Sequence, residues 1–247
     1  MKLMQTLVHA TGFRQPAHNG RRLDVLDELL AVAVREGAEL VLLPGGYLSV
    51  GHESETSLPM YEIRERAHAA DVAVIGGVDG PIPPDAEEDR LVRAVRLPFF
   101  GFAVGTVQPE IANTMWRQKS TRNYHPDWLA ADDVPGGERI VTRGKTKVGV
   151  LVCGELSNWR TRELFKVGEP ALVVDTGHIS MGQGLIPGMN CWNNALGCAV
   201  VHAQHVKSWN TSHHFIAADG TQQSVATDEN RYVGNEEFWI AWCTRDI

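Results

Sequence analysis

Val148-Gly149-Val150-Leu151-Val152-Cys153-Gly154-Glu155 is a run of aliphatic residues that stops on a cysteine, a glycine and a carboxylate. A short continuous apolar run, rich in β-branched residues, reads as a buried strand. Its carboxyl end is where open α/β folds place ligands, and Cys153 stands there. The thiolate is the reactive form of cysteine. To use it, a site needs a base or a cation beside the sulfur and donors for the oxyanion made when a carbonyl is attacked. Gly154 lets a substrate approach closely and turns a backbone N–H toward it. Glu155, two residues on, shares a side with Cys153 in an extended chain, as acid/base or as a strand-end salt bridge. Residue type alone also fits a plain buried filler, because free cysteine is among the most buried residues.

Outward from this strand the pattern alternates. Residues 3–9 read as a strand. Leu23, Leu26, Leu30 and Val34 give helical spacing over 21–36, ended by Gly37. Residues 38–43 form a buried-type strand broken by Pro44-Gly45-Gly46. A helix over 61–70 and a strand over 72–78 complete β-α-β-α-β, the pattern of helices laid over a sheet. Residues 91–97 and 99–107 are strand-like with no helix between them, which predicts antiparallel hairpins. Residues 126–139 are irregular, and long loops of this kind often cover or bind. After the strand at 147–153 come a helix over 159–166, a strand over 171–175, a helix over about 192–203 and strands over 206–210 and 214–218. The last turns at Asp219-Gly220 into 222–226. The fold class is α/β, one domain over 1–247 mixing parallel and antiparallel sheet.

Composition narrows the function. The 247 residues are 43% hydrophobic and 21% charged, ordinary globular values. A net charge of −7 with no basic cluster argues against nucleic acid. No apolar run approaches a membrane span, and residues 1–13 lack a signal peptide's apolar region and cleavage site. The four cysteines, Cys153, Cys191, Cys198 and Cys243, have neither CxxC spacing nor a paired framework. Reduced thiols in a cytoplasmic protein are the expectation.

Three phrases together resemble the nitrilase, or carbon–nitrogen hydrolase, superfamily. The strand ending in Cys153 is similar to that family's "VGVLICYD" cysteine phrase. Trp116-Arg117-Gln118-Lys119 stands where the family carries a lysine, 34 residues before the cysteine. Gly37-Ala38-Glu39-Leu40-Val41-Leu42-Leu43-Pro44-Gly45 is similar to "GADLVVFPE", with glycine in place of the family's glutamate. The resemblance runs from Met1 to about Val225. It implies a four-layer α-β-β-α sandwich of two mixed sheets that self-associates into dimers or larger assemblies. It also implies cofactor-free, metal-free hydrolysis or acyl transfer at a non-peptide C–N bond of a small amide or nitrile. In that mechanism cysteine attacks to form a covalent acyl-enzyme, lysine holds the oxyanion or amine, and glutamate is the base. Transferred by position, Cys153 is the nucleophile, Lys119 the electrostatic partner and Gly45 the place of the missing base. Gly154, Asp127, His125 and Thr176 are the expected substrate contacts.

Glycine cannot transfer a proton, and losing a positioned base costs about 10²–10⁴-fold in rate. Glu155, Glu53, Glu55, Glu110 or Asp127 could reach in, as could His52 or His125. Substrate could supply the base. Otherwise the chain is a pseudoenzyme, a ligand-binding or regulatory subunit that keeps the pocket without turnover. His202 and His205, with His213 and His214 nearby, make only a weak metal pattern, since residues three apart in a strand face opposite ways. The apolar Phe238-Trp239-Ile240-Ala241-Trp242 run is expected to dock on a partner subunit.

Overall fold

The structure is a computed structural model that describes residues 1–10, 15–81, 99–105, 113–117, 139–179, 184–207, 209–228, 230–235 and 237–247. Its centre is β1 (Lys2–Ala10), which along one edge runs parallel first to β2 (Leu40–Leu42), over Leu3 to Gln5, and then to β10 (Ala199–Val206), over Leu7 to His9. From β2 the sheet continues through β4 (Ala73–Asp79) and β5 (Phe99–Val104) to β6 (Asn113–Arg117). A two-residue strand, β3 (Leu48–Ser49), pairs with the end of β4. From β10 it continues through β9 (Leu172–Ile179) and β8 (Thr146–Val152) to β7 (Ile140–Arg143). The β4–β5 and β5–β6 pairs are antiparallel, and the strand expected over 91–97 lies outside the described residues.

Side-chain alternation along each strand builds the layers. Leu40 and Leu42, Ala73 and Ile75, Val148 and Val150, and Leu172 and Val174 join one buried cluster between the two halves of the curled sheet. Their neighbours face out. Val41, Val74, Phe102 and Val104 meet α1 (Asn19–Glu36) and α2 (Ser57–Ala70) through Leu26, Leu30, Ile63 and Ala67. Leu151, Val173 and Val200 meet α3 (Trp159–Gly168) and α4 (Leu185–Leu196) through Phe165, Met189 and Trp192. This is the α-β-β-α sandwich. Each fully buried aliphatic or aromatic side chain contributes about 1.5–3 kcal/mol. Gly149 is required under Phe165, because a Cβ there would lie 2.7 Å from the ring.

Three elements differ from expectation. The strand expected over 206–210 is not found among the described residues there, because β10 ends at Val206 and bends follow at 207, 209 and 210. The helix expected over about 192–203 lies earlier, over Leu185–Leu196, and the following residues are β10 rather than helix. Pro187 sits in the helix's first turn, where its missing N–H costs nothing. Gly197 ends the helix at a left-handed φ of 65°. The β9 strand runs on past Asp175 through Thr176-Gly177-His178, because β8 pairs with it as far as Thr176 and β10 carries the pairing on to Ile179.

The C-terminal run is also corrected. It is β14 (Phe238–Asp246), paired antiparallel with β1 along its whole length and with β13 (Tyr232–Gly234) on its other side. Ile240 and Trp242 join the core against α1, and Trp239 stacks between His9 and Trp209. Its apolar residues are therefore covered by this chain's own strands and helix. The remaining strands, β11 (Ser212–Ile216) and β12 (Gln222–Ala226), form the expected hairpin at Asp219-Gly220. Among the described residues no helix is long and apolar enough to cross a membrane.

Candidate active site

At the end of β8 the chain turns abruptly. Cys153 adopts φ 52° and opens a 3-10 turn over Cys153–Ser157. Among the described residues Asp71 and Glu169 are the other non-glycines with positive φ. Asp71 caps α2 and Glu169 directly follows α3, so both close a helix. Cys153 closes a strand. A non-glycine residue held there stores about 1–3 kcal/mol and persists where its surroundings enforce it. Glu155 does so here: its Oε2 accepts the Val152 N–H at 2.9 Å and an ion-paired hydrogen bond from Arg139. Both partners of that pair are buried.

Facing the cysteine are two residues from other strands. His178 is carried in on β9 and Asp79 on the last position of β4. The His178 Nε2 and Asp79 Oδ1 are 2.6 Å apart, and both side chains are buried. The Phe99 ring lies across the imidazole with centroids 4.4 Å apart. Burial alone would push the imidazole down. The Asp79 charge, the Cys153 sulfur and hydrogen bonds to both outweigh burial and lift it to about 10. At neutral pH the imidazole is therefore a cation held between a carboxylate and the sulfur, and a cation beside a thiol favours the thiolate.

The glycines of Pro44-Gly45-Gly46 make room for this pair. A Cβ on Gly45 would lie 2.6 Å from the Thr176 carbonyl oxygen, 2.9 Å from His178 Cε1 and 3.0 Å from His178 Nδ1. A Cβ on Gly46, whose φ is 64°, would lie 2.5 Å from Asp79 Oδ2. The Gly45 N–H donates to the Gly177 carbonyl at 3.1 Å, which fixes the turn against β9. The space beside Gly45 is thus filled by the His178 ring.

Solved structures share this arrangement of layers. The crystal structure of an amidase from Nesterenkonia is 16% identical, matching 98% of this chain and 90% of that one with a TM-score of 0.67. A variant of the amidase from Nesterenkonia sp. AN1, with acrylamide added to its active-site cysteine, is 15% identical over 98% and 92% of the two chains, with a TM-score of 0.66. Another variant of that amidase, in complex with butyramide, is 15% identical over 98% and 90%, also with a TM-score of 0.66. This amidase is from the nitrilase superfamily. The chain has the nitrilase fold. No family model matches the sequence, and no curated protein does.

On that nitrilase fold the residues singled out in the sequence fall differently. Cys153 and Gly154 sit together at the β8 turn, Gly154 buried. Gly45 lies at the end of the β2 segment, across from His178. Lys119, His125, Asp127 and Glu110 lie outside the described residues. Glu155 holds the turn: its Oε2 accepts from the Val152 N–H and pairs with Arg139, as in the salt-bridge alternative of the sequence reading. Thr176 is fully buried with its hydroxyl donated to the Leu151 carbonyl at 3.1 Å, so that group joins strands rather than facing a ligand. His52 is exposed beyond β3. His202 Nδ1 lies 2.7 Å from Asp175 Oδ2, and His205 Nδ1 lies 3.0 Å from the His178 carbonyl. His178 and Asp79 escape a reading of the sequence because the apolar run of that strand stops at Asp175 and because Asp79 opens a Gly- and Pro-rich stretch. The signal that could find them is the pair of glycines at 45 and 46, which removes bulk opposite two later strands.

Proposed function

We propose that this protein is a cysteine-dependent hydrolase of the nitrilase superfamily, cutting a non-peptide C–N bond in a small amide or nitrile through an acyl-enzyme on Cys153. One observation carries this. Cys153 is held in left-handed backbone at the carboxyl end of β8, with a protonated imidazole beside it. The other cysteines lack that setting: burial pushes Cys198 up to about 12 and also raises Cys243, while Cys191 is exposed on α4. Support comes from a variant of the Nesterenkonia sp. AN1 amidase, with leucine in place of a glutamate, whose active-site cysteine takes a covalent acetamide group from fluoroacetamide. The Gly154 N–H is the proposed oxyanion donor and Lys119 the proposed electrostatic partner. The binding-subunit reading rests on the missing glutamate, and His178 beside Cys153 weakens it.

The test is ammonia release from acetamide, propionamide and butyramide and from the matching nitriles. Wild-type protein releases ammonia from at least one, and Cys153→Ala lowers the rate at least 10³-fold, as expected when a nucleophile is removed. Turnover retained in Cys153→Ala contradicts the proposal.

A further inference from the structure

We infer that His178 is the base and acid of this site and Asp79 its positioning partner, so that a Cys153–His178–Asp79 triad replaces the glutamate that Gly45 lacks. This rests on the reading of Cys153 as nucleophile. Three features of the structure converge on it. First, the imidazole pairs through Nε2 with the Asp79 carboxylate at 2.6 Å, and the Cys153 sulfur is the next group whose charge acts on the ring. Since Nε2 is taken by Asp79, Nδ1 is the nitrogen left to exchange a proton with the sulfur and the substrate. Second, the ring lies where a side chain on Gly45 would project, within 3.0 Å of its Cβ position. The glutamate and the imidazole exclude one another, and the chain has kept the imidazole. Third, Gly46 and Gly77 clear the same region: a Cβ on Gly46 would strike Asp79, and one on Gly77 would lie 2.7 Å from Gly45 Cα. Gly45 and Gly46 thus leave the room that the His178–Asp79 pair fills, and Gly77 lets the Gly45 backbone approach β4.

The chemistry balances with these groups. In the resting pair the thiol proton sits on His178. The Cys153 Sγ attacks the carbonyl carbon, an S–C bond forms, and the C=O pair moves onto oxygen. On collapse the C–N bond breaks, and His178 passes its proton to the leaving nitrogen. Water then attacks the thioester and gives its proton to His178. The S–C bond breaks, the product leaves as the carboxylic acid and gives its remaining proton to the released ammonia in solvent, and the resting thiolate–imidazolium pair is restored. Asp79 takes up no proton; it fixes the tautomer and stabilises the cation, the part an aspartate plays in serine and cysteine triads. The charged groups that face the ring are Asp79 from β4, Cys153 from the β8 turn and Asp175 from β9 itself. His205 of β10 reaches only its main-chain carbonyl.

Iodoacetamide alkylation tests this without a known substrate. The rate at Cys153 is followed by peptide mass mapping from pH 5.5 to 9, which separates it from the exposed Cys191. An isolated thiol well below its pKa reacts about tenfold faster for each added pH unit. The triad predicts that the wild-type rate changes less than threefold between pH 6 and 8. His178→Gln lowers the pH 6 rate at least tenfold and restores the steep rise, and Asp79→Asn gives an intermediate profile. A steep wild-type profile, or a His178→Gln profile within twofold of wild type, overturns the triad. The wild-type arm stands even where a variant fails to fold. Loss of turnover in Cys153→Ala together with unchanged alkylation in His178→Gln refutes the triad and leaves the hydrolase reading in place.

Discussion

Cys153 reverses the usual ranking of small residues. In a strand or helix interior alanine is worth about 0.5–1 kcal/mol more than glycine. At φ 52° the Cβ crowds the following carbonyl, at about 1–2 kcal/mol. Cys153→Gly should therefore be more stable than Cys153→Ala by about 1 kcal/mol in urea unfolding, with both inactive. Alanine as the more stable variant would show that the turn relaxes in solution. Cysteine, glycine and position are legible here from the sequence alone. The base is not, because it depends on which side chain fills the space that Gly45 leaves, and that is a matter of strands 133 residues apart.

The elements that set the site are β8 with its turn, β9, and the β2–β4 segment with its glycines. The β8 turn depends on the Glu155–Arg139 pair, which has almost no solvent exposure. Removing one partner of such a pair leaves an uncompensated buried charge and costs about 3–5 kcal/mol. Arg139→Met should lower stability by that order and slow Cys153 alkylation, because the Val152–Glu155 turn loosens. Normal stability and normal alkylation together would assign the pair no part in the turn. At this scale the sequence is informative where period and punctuation agree: α1 ends at Gly37, and the β11–β12 hairpin turns at Gly220. It misleads around residues 185–206. There Ala199-Val200-Val201-His202-Ala203 has no period-2 polarity because both faces are buried, so a central parallel strand looks like the end of a helix. Glu155 misleads for a related reason: a carboxylate two residues past a nucleophile reads as chemistry, and only the buried arginine reveals its structural part.

Across the whole molecule the curled sheet is closed by a strand from the far end of the chain. Because β14 runs beside β1 from Lys2 to Ala10, its loss would expose the central strand. The sheet also buries His213, which lies at 1% exposure with neither ring nitrogen bonded among the described residues. Burial, then Arg245, His214 and Arg231, push it down to about 3. The unfolded chain takes up this proton near pH 6.5, whereas the folded chain resists it until about 3. As pH falls through that window the folded state therefore loses stability, by up to about 1.4 kcal/mol per pH unit. Urea midpoints should drop from pH 7 to pH 5, and the drop should be smaller in His213→Leu; an equal drop in both would remove His213 as the cause.

The most direct measurement of the central claim is a reciprocal exchange at the site. Alkylation of Cys153 at pH 7 is compared in wild type, Gly45→Glu, His178→Gly and the double variant. With His178 filling the space beside Gly45, Gly45→Glu alone should collide and slow the reaction, and His178→Gly alone should slow it by removing the base. The double variant should stay as slow as His178→Gly, because the Thr176 main-chain carbonyl, 2.6 Å from the Gly45 Cβ position, still stands in the way of a side chain there. If Gly45→Glu alone accelerates alkylation, the space is open to a glutamate, and His178 is not what replaced it.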